Sequence, residues 1–152
     1  LIGLAIMDNQ SSASMVDPRV AQHFNIDPSL QPKVSYELST MEKARSKHVG
    51  TCVIGLEISP LTNENQRTML PTCVESPLIP EAYEETPSRE EVAEIPSLRH
   101  LVSEFPDKNP DWQTLLLVGR NCSDAMKVID TIDGPSAHHR LPSQKRRRSD
   151  GH

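Results

Sequence analysis

Two stretches of the chain are almost continuously apolar. Leu1 to Met7 (LIGLAIM) runs into Asp8 and then into the polar Asn9-Gln10-Ser11-Ser12, and Thr114 to Val118 (TLLLV) runs into Gly119-Arg120-Asn121. Short apolar runs bounded by turn residues read as buried strands. Ala13 to Val16 continues as a second short strand. Asp17-Pro18 opens a helix over Arg19 to Phe24, with a capping carboxylate followed by proline at the first helical position. Lys33 to Met41 alternates, with Val34, Tyr36 and Leu38 on one face, and Val49 to Ile58 returns as an apolar-rich strand. The charged segment Glu42 to Lys47 joins the two into a hairpin. Arg67 to Glu75 reads as a further strand, with Pro71 marking an edge or a bulge.

Helical spacing appears in one more region. Thr86-Pro87 opens a helix whose first turn, Ser88-Arg89-Glu90-Glu91, is acidic, and Pro96 ends it. Leu98, Leu101, Val102 and Phe105 then recur at helical spacing, giving a second short helix over Ser97 to Phe105. The only tryptophan, Trp112, is expected to anchor this helical insert against the sheet. Ser123 caps a short helix through Lys127, and Val128 to Ile132 alternates like a strand. Beyond Gly134-Pro135 the apolar content falls away, so Ser136 to His152 is expected to be a disordered tail.

Composition narrows this picture. The 152 residues suffice for one domain, and 13 prolines against 6 glycines favour a loop-rich, mainly β chain. The net charge of −5 disfavours nucleic acid as a partner of the whole domain. The basic tail run Lys145-Arg146-Arg147-Arg148 reads either as a nuclear-import or nucleic-acid patch or as a solvated charge cluster. Cys52, Cys73 and Cys122 form no CxxC pair, which fits free thiols in a reducing, cytoplasmic compartment. His138-His139 has no Cys or Asp at ligand spacing, so neither a metal nor another cofactor is expected. No apolar run is long enough to span a membrane. The chain starts with Leu inside an apolar run, as a domain cut from a longer polyprotein would.

The motifs IMDNQSSASMVDP, LPTCVESPLIP, TLLLVGRN and KVIDTIDGP, in this order and spacing, resemble the retropepsin-like aspartic peptidase domain in polyproteins of Pao/BEL-type LTR retrotransposons. In that family an apolar strand leads to Asp-Thr/Ser-Gly, and a later apolar strand ending in Gly-Arg-Asn/Asp packs behind the catalytic loop. The resemblance covers about residues 1–135. It implies a closed, retropepsin-like (acid protease) β-barrel with a short helical insert, and a hairpin that covers a polypeptide substrate.

It also implies a site. Asp8 would be the catalytic carboxylate; Asn9, Gln10, Ser11, Gly119 and Arg120 would form the substrate-binding loop. One such motif per chain implies a symmetric homodimer in which two Asp8 residues share a proton. The departures from the family are local. Asn9 stands where the family has Thr or Ser, and Gln10 where it has Gly. Arg120 would pair with an acid four residues after the catalytic Asp, and that place is Ser12, with Asp17 as a substitute candidate. Three readings follow: an aspartic endopeptidase of a retrotransposon polyprotein, a catalytically inactive remnant acting in dimerisation or peptide binding, and an unrelated β-rich interaction domain with a nuclear-targeting tail. In the bland alternative, Asp8 is simply a turn residue bonded to its own backbone.

Overall fold

The computed structural model describes residues 1–39, 42 and 44–132. The His138-His139 pair, the basic run and the expected tail lie outside the described residues. Eight strands form, in chain order β1 (Leu4–Asp8), β2 (Ser14–Val16), β3 (Lys33–Ser39), β4 (Arg45–Val53), β5 (Glu57–Ile58), β6 (Thr68–Met69), β7 (Cys73–Glu75) and β8 (Thr114–Gly119). The chain is mainly β. Six strands make one mixed sheet in the order β1-β8-β2-β7-β4-β3, and β5 pairs with β6 separately.

The TLLLVG run forms β8, the longest wholly buried strand among the described residues: all six of its residues are buried. It runs parallel to β1 and antiparallel to β2. Successive side chains point to opposite faces, and burial of all six means that both faces are covered, which explains why the sequence shows no alternation of apolar and polar residues. β2 in turn runs parallel to β7, which pairs antiparallel with β4. Val16, Val53, Cys73 and Val118, from four different strands, are almost wholly buried and form the centre of the core.

Helix α1 (Pro18–His23) begins where Asp17-Pro18 predicted, and the Asp17 carboxylate accepts from the Arg19 N–H at 2.9 Å. It buries Val20 and Ala21 against the core. In the insert, α2 (Arg89–Glu94) is capped by Ser88 rather than Thr86. Ser88 and Glu91 form a reciprocal capping box, which satisfies two otherwise orphaned donors. Pro96–Glu104 follows as a 3₁₀ helix, not an α-helix. Arg89 fastens the two together: its Nε donates to the Phe105 carbonyl at 2.7 Å, and its Nη1 lies 3.0 Å from Asp107.

Several expectations are corrected. Among the described residues no barrel closes; β1 and β3 remain the two edges of an open sheet. The expected strand Val49 to Ile58 is broken after Val53, where Gly55 turns at φ +82°, and β4 instead starts earlier, at Arg45 within the expected connection. The expected strand Arg67 to Glu75 is interrupted at Leu70 to Thr72. Pro71 lacks an N–H for the ladder, so β6 and β7 fall in different sheets. β7 is an interior strand, not an edge. The last short helix, α3 (Ser123–Met126), has Cys122 at its cap without a side-chain bond, so Ser123 lies inside it. Val128 to Ile132 forms no strand; Val128 is 75% exposed and Ile129 90%.

Candidate active site

The site follows from the position of β8. Because β8 lies between β1 and β2, those two strands cannot be joined by a tight hairpin. The segment from Asn9 to Ala13 must cross the end of β8, and it does so where Asp8 pairs with Gly119. The Arg120 N–H donates to the Ser11 carbonyl at 2.9 Å, which ties the crossing loop to the chain leaving β8. An ideal Cβ built on Gly119 would sit 2.9 Å from the Ser11 carbonyl oxygen and closer still to that of Ala13. Glycine is therefore required by close backbone approach.

A buried serine completes the crossing. Ser14 is wholly buried; its Oγ accepts from the Gly119 N–H at 3.0 Å and donates to Asn121 Oδ1 at 2.7 Å. This clasp satisfies an N–H that has no strand partner, and it fixes the loop against β8 from below. Ser14 carries no motif in the sequence, and Asn121 stands there only as the last residue of the Gly-Arg-Asn run, without a role of its own. The available signal was a serine at the head of a buried Ser-Met-Val triplet, where an unpaired hydroxyl would be costly.

Asp8 is half-buried, and its Oδ1 accepts from the Gln10 N–H at 2.9 Å. This is the local Asx-type turn of the bland reading, held rigidly at the end of a strand. Asn9 and Gln10 are exposed. The Ser11 hydroxyl donates to the Ala13 carbonyl at 2.7 Å and so stabilises the loop's own bend. Asp8, Asn9, Gln10, Ser11, Gly119 and Arg120 thus come together at one end of the sheet.

The expected partner for Arg120 is not there. Asp17 is occupied by Arg19, whose Nε and Nη2 lie 2.6 and 2.9 Å from its two carboxylate oxygens. That side-chain bond is the main reason the Asp17 carboxyl is held below its ordinary value. Among the described residues no carboxylate lies within ion-pair distance of the exposed Arg120.

Cys73 offers no competing nucleophile. Cys73 is fully buried, and burial first, with Cys122 nearby second, pushes its pKa up to about 11. A neutral thiol is neither a good nucleophile nor a good ligand. Among the described residues no group of three His, Cys, Asp or Glu side chains is placed to hold a metal ion, and no helix is long and apolar enough to cross a membrane.

A cleft of about 960 Å³ borders β1, but Asp8 does not line it. One copy of the chain therefore presents a single, fixed carboxylate on an open surface. No protein-family model, curated protein or solved structure matches the chain.

Proposed function

We propose that the chain is an aspartic-endopeptidase-like domain of retropepsin type, from a retrotransposon polyprotein of the Pao/BEL kind. The observation that carries this reading is the crossing at Asp8. The two apolar runs that suggested the family lie side by side, and Gly119 packs directly against the Asp8 loop. Strands that failed to meet near Asp8 would have favoured the unrelated interaction domain.

The chemistry needs two copies. Two Asp8 carboxylates facing each other across a two-fold axis cannot both ionise, so they hold one proton between them. The ionised carboxylate takes a proton from a water molecule, which attacks the peptide carbonyl. The protonated carboxylate polarises that carbonyl and later supplies the proton that lets the amine leave. The Asx-type bond from Gln10 and the Ser14 clasp beneath β8 hold the carboxylate in place, and so reduce the reorganisation needed at the transition state. The reading places the domain in the cytoplasm, where its polyprotein would be made.

The inactive remnant is the second reading, because Gln10 stands where the family has glycine and adds a side chain beside Asp8. The test is cleavage of an unstructured polypeptide at micromolar enzyme. Asp8→Ala is expected to lower the rate by about a hundredfold or more. If Gln10 merely crowds the cleft, Gln10→Gly leaves the rate unchanged or raises it. Wild-type protein and Gln10→Gly that are both inert as dimers would leave the remnant in its place.

A further inference from the structure

The fold sorts the three thiols by face. Cys73 of β7 lies opposite Val53 of β4, and Cys52 lies opposite Val74. Successive side chains of a strand point to opposite faces, so Cys52 and Cys73 sit on different sides of the sheet. Val53 and Cys73 belong to the buried core cluster, and Cys122, from the chain leaving β8, belongs to the same cluster. Cys52 is half-buried and lies outside it.

The clasp at Ser14 brings the two core thiols together. Cys73 is the register partner of Ser14 on β2. Ser14 Oγ in turn donates to the Oδ1 of Asn121, the residue before Cys122, at 2.7 Å. The closeness is also felt electrostatically, since Cys122 adds to the upward push that burial exerts on the Cys73 thiol. Both are buried in the closed chain. Access comes through α3, which is one turn long and has no side-chain bond at its Cys122 cap. Asn121 and Ser123, on either side of Cys122, are exposed. Opening of so short an end is a local event that leaves the sheet intact, and it bares Cys122 first.

We propose that Cys73 and Cys122 are an oxidisable pair, closed into a disulfide by low-molecular-weight disulfides. The Cys122 thiolate attacks the small disulfide, a mixed disulfide forms, and one small thiolate leaves. Cys73 then gives its proton to solvent and attacks the Cys122 sulfur, and the second small thiolate leaves. Two protein thiols are oxidised and one small disulfide is reduced; the leaving thiolates take up the two protons. In a reducing compartment the pair stays open. Once closed, the bond encloses the helical insert and β8 in one loop and tethers the chain after Gly119-Arg120-Asn121 to β7. Asp8 takes no part, so the pair is independent of the peptidase reading.

The test incubates the full chain with oxidised glutathione at about pH 8, near the ordinary thiol pKa, in native buffer and in urea. The samples are acid-quenched, denatured, alkylated and mapped by mass spectrometry. In native buffer the peptides of Cys73 and Cys122 are expected to be joined, with about 2 Da lost, and Cys52→Ser should give the same bond. In urea the shorter Cys52–Cys73 loop should compete. The oxidised chain should unfold at a higher urea concentration than the reduced one, a shift that Cys122→Ser abolishes. Alkylation of both Cys73 and Cys122 after native oxidation overturns the proposal, as does a chain that stops with glutathione on Cys122. A native bond made chiefly by Cys52, or a Cys73–Cys122 bond formed only in urea, overturns it too.

Discussion

Two small residues, Ser14 and Gly119, decide where Asp8 stands. Ser14→Ala leaves the buried Gly119 N–H without its acceptor and Asn121 Oδ1 without its donor. It is expected to cost about 1–3 kcal/mol in urea unfolding. Gly119→Ala is expected to destabilise by roughly 1–3 kcal/mol or more, because its neighbours are carbonyl oxygens of the crossing loop that cannot rotate away. A charge effect separates from both. The Asp17 carboxyl is lowered chiefly by its bond to Arg19. Its stabilising effect is therefore present above the unfolded value and lost as pH falls through the lowered folded one. Arg19 is 43% exposed, so solvent screens the pair and the effect is a fraction of a kcal/mol. Asp17→Asn can still cap α1, so its stability deficit should be visible at neutral pH and vanish well below about pH 4. Urea midpoints of the two proteins across this range measure it. At this scale the sequence announced Asp8 and Gly119, because each ends an apolar run. It hid Ser14 and the bond that Ser14 makes to Asn121, which depend on which strands are neighbours, and Asp17, offered as a substitute partner for Arg120, is captured by its nearer neighbour Arg19.

At the scale of elements, the apolar runs and the Asp17 cap were readable, and the breaks between strands were not. β1, β2, β3 and β8 appear close to where their patterns put them, since local burial sets both the pattern and the strand. The long expected strands over Val49 to Ile58 and Arg67 to Glu75 each split in two. Apolar content continues through Ile54-Gly55-Leu56, but the backbone turns at Gly55, and that conformation leaves no pattern in hydropathy. Nothing lies within 4 Å of a Cβ built on Gly55, so Gly55→Ala tests conformation alone. The expected loss is roughly 1 kcal/mol in thermal or urea unfolding. The helical insert forms where its spacing puts it, but its start moves from the expected Thr86 cap to the reciprocal Ser88/Glu91 box. Ser88→Ala is expected to cost about 1 kcal/mol. Val128 to Ile132 had a strand's pattern but forms no strand among the described residues.

The described residues form an open sheet with the wholly buried β8 second from one edge and a long, mostly exposed hairpin at the other. Protection from hydrogen exchange should follow that layout: slowest in β8, β2 and β7, and fast in the outer half of the β3–β4 hairpin, whose side chains from Arg45 to Lys47 are all exposed. The closed barrel expected from the family is the largest departure. A sheet whose edge strand carries the candidate carboxylate presents half a site, and the peptidase reading requires the other half from a second copy. Cleavage of an unstructured polypeptide by the wild-type dimer, with Asp8→Ala alongside, tests this most directly. The account predicts products that the wild type makes and Asp8→Ala, still dimeric, does not. Cleavage that survives Asp8→Ala, or a wild-type dimer that cleaves nothing, would contradict it.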